Sequence, residues 1–389
     1  MSGLNFSFTR DQEIFRESVR EFGKREITKE RIRRWDRDAK FDRELYTALA
    51  EQGLAGINLP AEYGGQGADS VTTGIAVEEL AKLDFTVANL LIIDNILSGG
   101  ILAAYARQKI KEQVLPPVCK GESHLGIALT EPHAGSDAAN IKTVAKKEGD
   151  HYVLNGEKAS ISMIGVASYF TLFAKTNAAA GSHGVSAFLL PIDAEGVSTY
   201  EFDDLGYRPL RRGGIILNNV RLPEENLVGE ENQGFKIVMR QFDFSKTLLA
   251  LACVGTALAA LDDARSYAEE RTAFGSPILK FEAVQFRLVE HYTTLEAARL
   301  LCYRTLWLRD QGLPYTREAA MCKWWIPKIS FEAVHDALIT MGNPAYTTEH
   351  LQEKRLRDVL GIEIGDGTAD IQKIVVAREQ FGREFVPYR

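Results

Sequence analysis

Asp94 stands inside an apolar run, Leu90-Leu91-Ile92-Ile93-Asp94-Asn95-Ile96-Leu97. A carboxylate among such neighbours is costly unless it is paired or used. Burial also raises its pKa towards values that suit a general base. The plainer alternatives are an Asp turned to solvent on an amphipathic face, or a helix N-cap. Arg271 closes a long helical stretch just before Phe274-Gly275. A guanidinium there is either a solvated partner of the helix dipole or a phosphate ligand, because its fork of donors matches phosphate oxygens. Thr368 precedes the last helical stretch, where a hydroxyl serves as N-cap and as part of an anion site. The loop Ala128-Leu129-Thr130-Glu131-Pro132-His133-Ala134-Gly135-Ser136-Asp137 offers amides and hydroxyls to a polar ring edge or a phosphate, or is simply a turn. Asp243 and Lys246 form an i,i+3 pair that at a surface is worth only ~0.2–0.5 kcal/mol.

Other chemistries are disfavoured. Cys119, Cys253, Cys302 and Cys322 lie far apart and form no CxxC pair, so a zinc site is not expected. Their apolar neighbours mark them as reduced core residues of a cytoplasmic or matrix-like compartment. The seven histidines form no HxxxH or HExxH pattern, which argues against a metal hydrolase. A net charge of −7 argues against a nucleic-acid partner. No apolar run is expected to approach the ~18 residues of a membrane span, and the N-terminus carries no apolar signal core.

These residues need elements to position them. Thr9 and Gln12 fit a capping box, followed by Ile14, Phe15, Val19 and Phe22 at helical spacing. Further helices are expected over Asp42–Gln52, Glu78–Leu83 and Ile92–Arg107. Val144–Leu154 reads as a hairpin around Glu148-Gly149-Asp150, with strands at Tyr169–Ala174, Val185–Leu190 and Ile215–Val220. Long helices follow over Phe235–Glu270, Glu282–Arg309 and Arg317–Thr340, and Ala369–Phe385 ends the chain. The 389 residues thus divide into a helical part (1–120), a small β domain (121–229) and a helical bundle (230–389). The fold class is mainly α with a central β domain, and crevices between domains are where ligands prefer to lie.

Four segments carry a resemblance: Ala128–Asp137, Asn155-Gly156-Glu157-Lys158, Glu270-Arg271-Thr272-Ala273-Phe274-Gly275, and Gly367-Thr368 after Arg357-Asp358. In this order, within a helix–β–helix chain, they resemble the acyl-CoA dehydrogenase family over nearly the whole length. The resemblance implies an N-terminal helical domain, a middle β-barrel-like domain and a C-terminal four-helix bundle. It also implies a homotetramer, or sometimes a dimer, with one FAD per subunit. The implied reaction removes a proton alpha to a thioester carbonyl and passes hydride from the beta carbon to flavin N5. Electrons then leave to an electron-transferring flavoprotein.

Carried over residue by residue, Leu129, Thr130 and Ser162 would hold the isoalloxazine. Arg271 and Phe274 would reach the FAD of a neighbouring subunit, Thr368 would meet the pyrophosphate, and Asp370 would also serve a flavin. Ser136, Asp243, Lys246 and Gly367 would serve the acyl-CoA.

The family's usual base, a Glu before Gly-Thr, is here Asp366, and the usual aromatic before it is Gly365. Losing a methylene shortens the reach by about 1.5 Å, and a misplacement of ~1 Å costs ~10²-fold. The alternative base position falls at Ser245, which cannot serve, so Asp94 is retained as a second candidate base or specificity residue. Ser160 replaces another usual aromatic. Glu282 stands where Gln is common, and Ile339–Asn343 departs from a Gln-x-x-Gly-Gly pattern. Together these departures favour a bulky, alicyclic acyl group, of the cyclohexane- or cyclohexene-carboxyl type, with a non-standard elimination open. The competing readings are a nitroalkane-oxidase-like flavin oxidase or monooxygenase, a dehydrogenase of carrier-protein-bound acyl groups, and a flavin protein without catalysis.

Overall fold

The computed structural model describes residues 6–386. Its first layer is helical. The hydroxyl of Thr9 accepts from the Gln12 amide at 3.2 Å and the Gln12 side chain accepts from the Thr9 amide at 3.0 Å, so the capping box opens α1 (Arg10–Glu26). Val19 and Phe22 are buried on its inner face, whereas Ile14 points outward. Helices α2 (Lys29–Asp38) and α3 (Arg43–Glu51) follow, the latter capped by Asp42. Asp69 and Asp84 cap α4 (Ser70–Leu83) and α5 (Phe85–Leu91) in the same way. The chain then continues through a π-helical stretch, Ile92–Gly99, into α6 (Gly100–Tyr105) and α7 (Gln108–Cys119).

The β domain is one eight-stranded sheet. It comprises β1 (Leu125–Ala128), β2 (Val144–Glu148), β3 (His151–Ile161), β4 (Tyr169–Lys175), β5 (Val185–Pro191), β6 (Val197–Glu201), β7 (Gly213–Pro223) and β8 (Leu227–Val228). The order is β6-β7-β3-β2-β4-β5-β8, and β1 joins β4 in parallel. The β3–β7 ladder slips twice, between Leu154 and Gly156 and between Lys158 and Ile161. Such slips bend a strand and re-aim its side chains.

The third part is a bundle of long helices: α8 (Gly234–Glu270), α9 (Glu282–Asp310) and α10 (Thr316–Met341), followed by α11 (Gln352–Ile364) and α12 (Ala369–Phe381). A short ribbon of β9 (Thr272–Ala273) and β10 (Ser276–Pro277) links α8 to α9. Gly255 lets α8 close on α4, since a Cβ there would sit 2.6 Å from the Glu78 carbonyl.

One buried cation joins the three parts. Lys354 Nζ on α11 lies 2.7 Å from Asp84 and 2.6 Å from Asp358, and donates to Thr86 at 3.1 Å. The other oxygen of Asp358 accepts from the Tyr207 amide of the β domain at 2.7 Å. A buried ammonium with this many partners resists replacement of any one of them. Residues 85–105 and 234–270, contrary to the expectation of no such run, are long and apolar enough to cross a membrane. In the most apolar 18-residue window of each, 83% and 89% of the residues are buried within the protein, and both serve as core helices.

Candidate functional site

The Leu129–Asp137 loop is built around Glu131. Its carboxylate is buried and accepts from the Lys142 amide at 2.5 Å, the Thr143 amide at 3.0 Å and Lys158 Nζ at 2.8 Å. Lys158 also donates to the Leu129 carbonyl at 2.9 Å, and the Ala159 amide donates to the Thr130 carbonyl at 3.0 Å. Burial pushes the Lys158 ammonium down to about 8, with Glu131 opposing it. The Glu131 carboxyl is held below its usual range: burial opposes this, and Lys158 and the loop amides outweigh it. Sequence alone assigns neither residue a role. The signal was a Glu and a Lys inside the two segments that carried the resemblance.

With its backbone pinned, the loop leaves side chains free. Among the described residues, the hydroxyls of Thr130, Ser136 and Ser162 make no hydrogen bond. Ser160 is exposed at the second slip of β3, with φ of 59°. At the end of α8 the Arg271 amide closes the helix on the Tyr267 carbonyl, while its exposed guanidinium has no partner among the described residues. Phe274, also at positive φ, is 97% exposed. Thr368 is the N-cap of α12 and its hydroxyl makes no capping bond. Unpartnered hydroxyls, an unpaired guanidinium and an open helix start are the donor set that a polar ring system and a pyrophosphate need.

Asp366 sits between α11 and α12 on a turn with two successive left-handed residues, Asp366 at φ 53° and Gly367 at φ 88°. Desolvation pushes its carboxyl above the ordinary Asp range, and the ammonium groups of Lys323 and Lys246 pull part of the way back. Lys246 is itself buried, 3.4 Å from Asp243, whose second oxygen accepts from Thr316 at 2.7 Å. Ser245 is buried and donates to the Phe242 carbonyl. Asp370 is exposed on α12 and pairs with Lys373 at 3.2 Å.

Asp94 is neither solvent-facing nor a helix N-cap. It is fully buried in the π-helical stretch, and both of its oxygens are occupied. One accepts from the Leu125 amide at 2.8 Å and the other meets His124 Nδ1 at 2.8 Å. The apolar run around it reflects the core it crosses, and its carboxylate fastens the start of β1 to the helical domain. Each carboxylate oxygen thus already has a structural partner, and among the described residues no hydrogen bond or ion pair joins Asp94 to the Asp366 turn.

Three family models match in succession: "Acyl-CoA dehydrogenase, N-terminal domain" over residues 9–122, "middle domain" over 126–220 and "C-terminal domain" over 232–381. A short-chain-specific acyl-CoA dehydrogenase of Clostridium acetobutylicum is 34% identical, covering 97% of this chain and all of that protein. The chain belongs to the acyl-CoA dehydrogenase family. A subunit of a caffeyl-CoA reductase–Etf complex from Acetobacterium woodii is 34% identical, covering 95% of this chain and 98% of that one. The solved butyryl-CoA dehydrogenase of Megasphaera elsdenii superposes with a TM-score of 0.93 at 31% identity, over 97% and 99% of the two chains. The protein is an FAD-dependent oxidoreductase of this family, and the unpartnered donors around Thr130, Ser162, Arg271 and Thr368 fit the flavin.

Proposed function

We propose that this acyl-CoA dehydrogenase acts on a bulky, alicyclic acyl-CoA thioester, with Asp366 as the base. The observation that carries the reading is the Gly365-Asp366 pair. The carboxyl is raised by desolvation, and the residue beside it has no side chain. A Cβ at Gly365 would press on the Gly361 carbonyl at 3.3 Å and meet nothing else within 4 Å, so the side of the turn beyond that carbonyl is uncrowded. Ser160, exposed on the β3 slip, leaves a second opening. A shorter base needs its carbon brought closer, and a wide pocket admits a ring rather than gripping a straight chain.

The chain's own groups divide the work. The Asp366 amide donates to the thioester carbonyl and stabilises the developing enolate, and the Asp366 carboxylate takes the proton. Lys246 and Ser136 meet the CoA moiety, with Asp243 orienting Lys246 through the 3.4 Å contact and Gly367 giving backbone room. FAD, when held by these residues, would supply the hydride acceptor. An electron-transferring flavoprotein is the proposed oxidant, in keeping with the Etf complex of the Acetobacterium relative.

Arg271 and Phe274 project from the subunit, and Phe286 and Val289 of α9 are exposed as well. A homo-oligomer, a tetramer in this reading, would cover these apolar groups and bring Arg271 to the FAD of the next subunit, with Asp370 at the rim. The proposed compartment is the cytoplasm. Anaerobic flavin bleaching against linear, branched and cyclic thioesters tests the substrate class. Fast bleaching by cyclohexane- or cyclohexene-carboxyl-CoA is expected. Fast bleaching by butyryl- or octanoyl-CoA with none by cyclic thioesters would end the proposal.

A further inference from the structure

Lys323 lies on α10 in an otherwise apolar stretch, Ala319-Ala320-Met321-Cys322-Lys323-Trp324-Trp325-Ile326. Its side chain is 1% exposed. An ammonium so placed must have a strong reason to be there. Its Nζ donates to the Ile362 carbonyl at 2.6 Å and to the Gly367 carbonyl at 3.1 Å. Ile362 is in the last turn of α11, where carbonyls lack helical partners and a cation is favoured by the helix dipole. Gly367 lies beyond the turn. One ammonium therefore clamps both ends of the segment that presents Asp366.

That segment needs a clamp. Asp366 and Gly367 are both left-handed, a conformation Asp tolerates better than most side chains but which still needs support from its surroundings. Apart from Lys323, the side-chain support is the Gln372 amide, 3.5 Å from the carbonyls of both residues. The groups facing Lys323 are Asp366 and Glu363 from the α11 end, and Cys253 and Lys246 from α8.

We propose that Lys323 is the positioning residue of the reaction, fixing the Gly365–Gly367 turn so that the Asp366 amide and carboxylate address the acyl group together. The proposal rests on the reading of Asp366 as base. Lys323 acts through Asp366 in two ways. Its bonds to Ile362 and Gly367 set the direction of the turn. Its charge offsets part of the desolvation that raises the Asp366 carboxyl. Burial in turn brings the Lys323 ammonium down to about 8, so the clamp weakens in mildly alkaline solution.

The test uses flavin-loaded enzyme, with wild type, Lys323→Met, Lys323→Arg and Asp366→Asn. For Lys323→Met, kcat for anaerobic flavin reduction falls roughly 10²-fold, the cost of a displacement of ~1 Å, while KM changes little. Its acid limb moves to higher pH, and deuterium exchange at the amides of 365–367 accelerates. Lys323→Arg keeps the acid limb near that of wild type. A Lys323→Met enzyme with wild-type kcat and acid limb, beside an inactive Asp366→Asn, overturns the role of Lys323 alone. An active Asp366→Asn overturns the reading beneath it. If Lys323→Met does not fold, the alkaline limb decides. The wild-type rate falls above about pH 8 and that of Lys323→Arg does not, whereas identical limbs overturn the proposal.

Discussion

Replacing Glu131 with Gln should loosen the flavin loop and unseat the cofactor. In the native site one carboxylate oxygen accepts from the Thr143 amide and Lys158, and the other accepts from the Lys142 amide. A Gln side chain has one acceptor and one donor. If its oxygen serves Thr143 and Lys158, its NH2 faces the Lys142 N–H, donor against donor. Lys158 then remains fully buried without a counter-charge. Breaking one partner of a buried pair costs about 3–5 kcal/mol. At roughly 2–4 °C per kcal/mol for domains of 150–250 residues, this lowers Tm on the order of 10 °C. The assay is a thermal melt of apo- and flavin-loaded protein, with the flavin-to-protein absorbance ratio after gel filtration. Because Lys158 also holds the Leu129 carbonyl at 2.9 Å, flavin retention should fall along with Tm. Glu131→Gln combined with Lys158→Met should recover part of the stability, since no buried charge is left unpaired. A single variant that melts and holds flavin like wild type would refute the assignment of Glu131 as the anchor of the loop.

Two further outcomes follow from the site. Asp94→Ala strips partners from the Leu125 amide and from His124, at ~1–3 kcal/mol for each group left unsatisfied; Tm should drop while the flavin reduction rate stays within a few-fold of wild type, and a ~10²-fold loss of rate in a folded variant would return Asp94 to the chemistry. Phe274→Asp puts a charge on a side chain that is 97% exposed in the isolated subunit; if a second subunit covers it, sedimentation should show dissociation together with weaker flavin binding, and an unchanged assembly would remove Phe274 from the interface.

The order of helices, sheet and bundle was legible because period-2 and period-3.6 patterns sit on long stretches with clear stops. The Thr9 capping box and the Asp42-capped helix are local motifs, and local motifs survive folding. Helices α2, α5, α7 and α11 lie outside the helices expected from the sequence. α2 is dominated by charge (Lys29-Glu30-Arg31-Ile32-Arg33-Arg34) and buries only Ile32, Trp35 and Asp36. α7 carries Pro116 and Pro117, which read as breakers. Strand β1 is four residues long, too short for a period.

In the site, the candidate ligand residues were proposed by type, but their supports were not. For Asp94, a sequence cannot show the amide of Leu125 or the imidazole of His124 meeting it from 31 and 30 residues away. Glu131 and Lys158 are 27 residues apart, and Lys323 and Gly367 are 44 apart. Each bond exists only after the sheet and the bundle close.

Asp366, its carboxyl lifted by desolvation, is the proposed acceptor of the substrate proton. Stopped-flow flavin reduction by a cyclic acyl-CoA, run anaerobically across pH for wild type and Asp366→Ala, addresses it directly. A base must be ionised to act, so the wild-type rate should rise with pH through an ionisation above the ordinary Asp value, in line with the direction imposed by burial. The Asp366→Ala enzyme, still yellow and still binding thioester, should lose at least ~10²-fold in rate and lose that acid limb. Undiminished bleaching by Asp366→Ala would contradict the account.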